Sequence, residues 1–414
     1  MSIVEAPPGR RLFFGWRMVG VAFFVDFVAV GFFFYSYGVF FKAIAAEFGD
    51  SRLGVALGLT VTQTVGAIAA PLIGRALDRF PIRRVIAAGA VAMSVGFALL
   101  SQVATQAQFY VVLGLFIGFG ASSMGGLATA KLVANWFERR RGTALGIAAT
   151  GISLSGVIMP AVTATLIESS GWRSAFLLYA GFTAFVVLPV VFRFVVSRPS
   201  DLGLAPDGAR AGRTGASAPA PRTGARRLWA RREFWVLVTT IGLLFCCQSA
   251  TLTHLVPRVT DMGYTLLEAS AVMSACAGAG VAGKMVYGWL IDRVAPRTAV
   301  LLAIGSQVLG QLAMLYAPTY GVFTAGAAAF GFGMGGIVPL QGALVARIFG
   351  VESFGRALGL MRPAMLPLQV VGVPFAGWIF DVTGHYDTAF TVFLAVYALA
   401  AGVVILGTRR RPAP

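Results

Sequence analysis

The sequence predicts an all-α membrane protein of twelve transmembrane helices in two pseudo-symmetric six-helix bundles. Three observations carry this prediction. Of 414 residues, 57% are hydrophobic and only 12% are charged, too little charge to cover a soluble protein of this size. Apolar runs of about twenty residues, the length that crosses a hydrocarbon core, recur along the whole chain. The third observation is a repeat at an interval of 213 or 214 residues. Gly74-Arg75-Ala76-Leu77-Asp78-Arg79 returns as Gly288-Trp289-Leu290-Ile291-Asp292-Arg293, and Gly118-Phe119-Gly120 as Gly331-Phe332-Gly333. Ala144-Leu145-Gly146 returns as Ala357-Leu358-Gly359, and Ala175-Phe176 as Ala389-Phe390. Pairs in one order at one spacing imply two halves of the same layout, which suits a transporter rocking about a central site.

The apolar segments place the first six helices at roughly 15–42, 53–73, 84–102, 108–134, 142–167 and 173–195. The second six fall at roughly 233–256, 267–291, 298–316, 320–346, 356–380 and 387–407. Residues 1–196 then form the first bundle and 233–414 the second. Residues 197–232, rich in Pro, Gly, Ala and Arg, are too poor in apolar side chains to bury a face and are expected to be a flexible linker. Small residues four apart, as at Gly114 and Gly118 or Gly142 and Gly146, let helix backbones approach closely. Pro160, Pro339, Pro363, Pro367 and Pro374 lie inside helices and are expected to bend them. No stretch has the form of a cleaved secretory signal.

The net charge of +17 invites a nucleic-acid reading, and the placement of the charges excludes it. Of the 33 lysines and arginines, 26 fall in alternate loops or at the termini. Four (Lys42, Arg52, Arg173 and Arg258) fall in the other loops, and three (Lys131, Lys284 and Arg362) lie inside apolar segments. This is the positive-inside pattern. It puts both termini and the linker in the cytoplasm of a multi-pass protein of a bacterial-type inner membrane. Cys246, Cys247 and Cys276 lie in apolar helices with no metal spacing, so no metal or cofactor is expected. With only His254 and His385 as histidines, no catalytic constellation supports an enzyme. No appended signalling domain supports a sensor.

Two strings imitate nucleotide loops: Gly278-x-Gly280-x-x-Gly283-Lys284 and Gly331-x-Gly333-x-x-Gly336. Met285 stands where a phosphate loop needs a hydroxyl, and no βαβ unit surrounds either string. Both are expected to serve helix packing.

The stretch from Gly74 to Arg84 is more specific. Gly74, Asp78, Arg79, Arg83 and Arg84, with the reduced copy Gly288, Asp292, Arg293 and Arg297, resemble the loop motif of the major facilitator superfamily. The resemblance implies that fold. Asp78 and Asp292 would dock on the positive starts of the fifth and eleventh helices, and with Arg79, Arg83 and Arg293 would hold the cytoplasmic side closed. Within the superfamily the chain is similar to the monocarboxylate transporters and bacterial oxalate–formate exchangers. Tyr35-Ser36-Tyr37-Gly38-Val39-Phe40-Phe41-Lys42, the run from Asn135-Trp136-Phe137-Glu138-Arg139 to Gly146, and Gly283-Lys284-x-x-x-Gly288 carry that likeness. Lys284 stands where those transporters usually have Arg, Gly280 replaces a carboxylate one turn earlier, and Tyr35 replaces a first-helix lysine of some members.

A charge at mid-bilayer costs about 2.5–3.5 kcal/mol on insertion scales, so each needs a reason. Lys284 suits an anionic substrate or a structural pairing. Arg362 suits a second carboxylate contact, or pairing with Asp292 or Glu352. Lys131 suits the same site, or reaches the interface. Asp26 is the leading proton-coupling candidate, since burial and a basic partner shift a carboxylate in opposite directions; the alternative is a fixed salt bridge to Lys131, Lys284 or Arg362. His254 bonds backbone or lines the outer vestibule. Tyr35, Tyr37, Gln63, Gln248, Gln341 and Gln369 border the cavity or join helices. The resulting expectation is a monomeric, proton-coupled symporter of small organic anions, with substrate, protons and lipid as partners and no nucleic acid. Anion exchange is the alternative. Efflux of hydrophobic cations fits poorly with three buried bases and one acid.

Overall fold

The computed structural model describes residues 13–49, 51–137, 140–206, 228–291, 293–349 and 354–407. Among them, 11 helical stretches are long and apolar enough to cross a membrane. One, Thr143–Phe194, spans 52 residues, and Gly171 (φ 80°, ψ 160°) turns the chain within it. It therefore supplies two spans, which makes twelve. In the first half these are α1 (Gly15–Phe48), α2 (Arg52–Arg79), α3 (Ile82–Leu100), α4 (Gln106–Trp136), α5 (141–170) and α6 (172–194). In the second half they are α7 (Arg232–Asp261), α8 (Leu266–Leu290), α9 (Pro296–Leu315) and α10 (Tyr320–Phe349). Then come α11 (Phe354–Gln369, resumed as Gly372–Thr383) and α12 (Asp387–Gly407). No strand occurs among the described residues.

Local chemistry sets the helix ends. Ser51 caps α2 by accepting from the Gly54 N–H at 3.0 Å, and Thr265 and Glu268 form a reciprocal capping box at the start of α8. Gly49 (φ 59°) stops α1 and Gly384 (φ 77°) stops α11, in the left-handed conformation that glycine adopts without strain. The helices α1 and α2 each run about two turns past the apolar segment that predicted them. Hydropathy marks the bilayer, and these helices continue beyond it.

Because the number of spans is even, the start of α1 and the end of α12 share one end of the bundle. The arginine-rich connections α2–α3, α4–α5, α8–α9 and α10–α11 lie at that same end. Across the halves, α1 packs on α7, α2 on α11, and α5 on α8. Asp292, Glu138, Arg139 and Glu352, and residues 207–227 of the expected linker, lie outside the described residues, as do the side chains of Asp78 and Arg356.

The two strings that imitate nucleotide loops pack against each other. A Cβ on Gly331 would collide with the Cys276 carbonyl, one on Gly283 with the Phe332 carbonyl, and one on Gly335 with the Gly280 carbonyl. The helices α8 and α10 thus meet backbone to backbone, as small residues allow in lipid.

Short π-helical segments lie at Leu113–Gly118 in α4 and Thr183–Val187 in α6, and three other irregularities inside the membrane show how internal partners are supplied, as the bilayer requires. A π-helical segment, Gly31–Tyr35, interrupts α1. There the Ser36 hydroxyl donates to the Gly31 carbonyl at 2.8 Å and meets Thr163 of α5 at 2.8 Å. The helix α4 breaks at Gly125 and Gly126, the latter at φ 35°, ψ −70°, which a side chain would strain. The helix α11, carrying Pro363, Pro367 and Pro374, breaks at Val370–Val371. The Val370 carbonyl accepts from the Thr60 hydroxyl of α2 at 3.4 Å.

Gly331→Ala is expected to destabilise the protein by about 1–3 kcal/mol through overpacking, read as a lower melting temperature in detergent. Gly342→Ala, where a Cβ meets nothing within 4 Å, should leave it unchanged or slightly raised.

Candidate functional site and gate

The seam between α5 and α8 is the natural place to start, because a charge lies in it. The two helices run antiparallel and approach where Gly156 faces Ala277, whose Cβ would stand 2.9 Å from a Cβ on Gly156. Ser153 lies one turn from Gly156 toward the arginine-rich end, and Lys284 two turns from Ala277 in the same direction. Helical side chains lean toward the helix N-terminus, which carries the Lys284 ammonium back to the level of Ser153. The ammonium donates to the Ser153 hydroxyl, a bond that joins the two halves. Lys284 is half-buried and Ser153 buried. No carboxylate pairs with Lys284 among the described residues, so its charge is held by a neutral hydroxyl.

Arg362 lies in the first part of α11. Ala357, Met361 and Met365 on the same helix are buried, whereas Arg362 is exposed. Neither a hydrogen bond nor an ion pair engages it among the described residues. The helix is flanked by α7 and α10 in its own half and by α2 across the halves. Tyr35 joins the Lys284 side of the arrangement: it sits on the π segment of α1 with its ring against Gly156. Lys284, Ser153 and Tyr35 are therefore brought together, with Arg362 a second cation on the opposite interhalf pair.

Other expected members have different tasks. The Lys131 ammonium donates to the Leu77 carbonyl at 2.8 Å, which caps the end of α2 and takes it away from an anion site. The Tyr37 hydroxyl donates to the Val55 carbonyl with the residue buried, so it joins α1 to α2. The Gln248 amide donates to Gln307 at 3.1 Å and is committed to α9. His254 is fully buried. Its Nε2 lies 3.0 Å from the Val373 carbonyl, which can only accept, so Nε2 carries the proton and Nδ1 accepts from the Tyr386 hydroxyl at 3.2 Å.

Asp26 is the only acid buried among the described residues, at 4% exposure. Its carboxylate accepts from the Gly126 N–H at 2.9 Å and from the Thr129 hydroxyl at 3.0 Å. No basic side chain reaches it there; a helix break does. Asp26 supplies from α1 the cap that the second part of α4 lacks.

The expected gating residues stay within their own halves where described. Arg83 donates to the Phe192 carbonyl at 3.4 Å, and Arg293 donates to the Trp289 carbonyl and lies over its ring. Arg79 is exposed. Nearby, Asn135 and Trp136 donate to the Ser197 and Val196 carbonyls, each at 2.9 Å, fixing the end of α4 to the chain after α6.

Polar contacts that close the halves lie at the opposite end, a gate that the sequence reading missed. The Arg52 guanidinium of α2 donates to both Asp261 carboxylate oxygens, at 3.0 and 3.2 Å, and to the Tyr386 hydroxyl at 3.1 Å. It also stacks 4.3 Å from the Phe380 ring centroid. Lys42 pairs with the same Asp261 at 2.5 Å. Asp381 of α11 accepts from the Arg52 and Leu53 backbone N–H groups at 2.7 and 2.9 Å. It thereby completes the positive end of α2 from the other half. Arg258, expected in a loop, lies in the last turn of α7, paired with Asp387 at 2.9 Å and bonded to the Met314 carbonyl at 3.2 Å.

Comparison with known proteins agrees with this architecture. The Major Facilitator Superfamily model matches residues 23–362 and 283–414. Monocarboxylate transporter 13 of Bos taurus is 28% identical over 406 residues, covering 97% of this chain and 90% of that protein. Monocarboxylate transporter 12 of Rattus norvegicus is 25% identical over 395 residues, covering 89% and 80%. Among solved structures, a bacterial homolog of the human lysosomal transporter Spinster, inward-facing and unoccupied, superposes with a TM-score of 0.77 at 14% identity, covering 98% and 100%. The fold, the motif and the family match lead to one conclusion: the chain belongs to the major facilitator superfamily and is a multi-pass membrane transporter, not an enzyme.

Proposed function

We propose that this transporter carries small carboxylate anions, monocarboxylates first, by alternating access, with Lys284 and Arg362 as the charges that receive them. The observation that carries the reading is that both cations stand in membrane helices with no carboxylate partner among the described residues. A charge so placed needs compensation, and an anionic substrate supplies it. The names of the relatives, monocarboxylate transporters, point the same way. Residues 1–196 and 233–414 are the two moving units, joined by 197–232. The arginine-rich end faces the cytoplasm, with both termini, in a bacterial-type inner membrane. The closed opposite end then makes this an inward-facing arrangement. Asp78, Arg79, Arg83, Asp292 and Arg293 form the cytoplasmic closure in the alternate state.

The coupling ion in this reading is a proton carried by Asp26, supported by its being the one buried acid among the described residues. Exchange of one anion for another is the second reading. It is favoured by the Asp26 hydrogen bonds staying within the first half, on Gly126 and Thr129, without reaching Lys284 or Arg362.

In proteoliposomes loaded by turns with lactate, pyruvate and oxalate, Lys284→Met should lower carboxylate uptake by about 30-fold or more with the fold intact. Uptake at the wild-type rate would reject the anion site. Asp26→Asn keeps a carbonyl oxygen for the Gly126 N–H and removes the titrating acid. It should abolish acceleration by an inward proton gradient; an undiminished gradient effect would remove Asp26 from coupling, and anion-stimulated uptake without any gradient effect would establish exchange. Combining Arg52→Ala with Asp381→Ala should shift the population outward-open. In a background lacking the three native cysteines, Tyr35→Cys should then react about tenfold faster with an impermeant maleimide from the closed side.

A further inference from the structure

The hydroxyl that meets Lys284 differs from those of Thr150, Ser155, Thr163 and Thr165 on its helix. On α5, Thr150 donates to the Ile147 carbonyl at 2.6 Å, Ser155 to Ile152 at 2.7 Å, Thr163 to Met159 at 2.5 Å and Thr165 to Ala161 at 3.1 Å. This back-bonding is the ordinary fate of a serine or threonine within a helix. Ser153 makes no such bond among the described residues. Its oxygen accepts from the Lys284 ammonium, which leaves its own proton uncommitted. A hydroxyl is one donor as well as an acceptor, and an ammonium has three donors. Two of the ammonium hydrogens and the Ser153 hydrogen are therefore available side by side.

We infer that Ser153 is a second ligand of the transported anion: one carboxylate oxygen takes the Lys284 ammonium and the other takes the Ser153 O–H. This rests on the anion reading of Lys284 proposed above and adds a specificity element to it. The two donors are neighbours and belong to different halves, α5 and α8. A carboxylate engages both at once, whereas a neutral ester or amide of the same acid offers no charge to the ammonium. The seam around them is tight, with Gly156 against Ala277 and the Tyr35 ring, so a donor on α5 at this level is within reach of whatever Lys284 holds. When the anion leaves, Lys284 returns to the Ser153 oxygen, and the ammonium is never left without a partner.

The test is concentration-dependent uptake of labelled lactate and pyruvate into proteoliposomes by wild type, Ser153→Ala, Ser153→Thr and Lys284→Met. Ser153→Ala should raise KM about tenfold, the loss of one hydrogen bond to a charged group, while turnover at saturation stays within about twofold. Ser153→Thr, which restores a hydroxyl, should bring KM back toward wild type. An unchanged KM in Ser153→Ala, or a fall in turnover alone, overturns the inference. The two readings fail separately. Wild-type uptake by Lys284→Met removes the anion site itself, whereas loss of uptake in Lys284→Met with an unaffected Ser153→Ala removes only the serine.

Discussion

In hydrocarbon no water completes a broken backbone bond or shields a charge. The whole molecule is arranged around that constraint. Where α4 breaks, the carboxylate of Asp26 serves the freed amide. Where α11 breaks, the hydroxyl of Thr60 serves a freed carbonyl. Where α1 widens, Ser36 turns back to Gly31. Each repair comes from, or leads to, a neighbouring helix, so the irregularities also determine which helices must stay together. The cations Lys284 and Arg362 are the exceptions, and the functional reading follows from their being exceptions.

The fold was legible because its signals are long. Runs of apolar residues, a repeat over half the chain and a loop motif with its shortened copy all survive without knowledge of contacts. Lys284, Arg362 and Asp26 were legible for a related reason, since a charge within an apolar run stands out. The rotation of a helix about its axis is much harder to read. Polarity marked Tyr37 and Gln248 as residues near a cavity or joining helices and left His254 and Lys131 open between a site and a local partner; packing turns each toward a partner in the protein. The glycine strings show the same limit from the other side. The sequence assigned them to packing, but that they would pack on each other depends on α8 and α10 running side by side in the same direction, with Gly331 at Cys276 and Gly335 at Gly280.

The gate was hidden for a different reason. Arg52, Asp261 and Asp381 look like ordinary charges at helix ends, where most are solvated and worth little. Their meaning depends on partners 209 and 329 residues away. A clue was present in the first turn of α2, which has no acidic residue of its own. A helix start that lacks one is open to an acid from elsewhere.

That borrowed acid has a consequence for how the protein tolerates change. Asp381 grips main-chain amides, which persist whatever side chains occupy positions 52 and 53, short of proline. Part of the seal at the end away from the arginine-rich loops is thereby written into the polypeptide itself. Drift in the surrounding loops can erode the arginine clasp while a baseline affinity between the bundles endures.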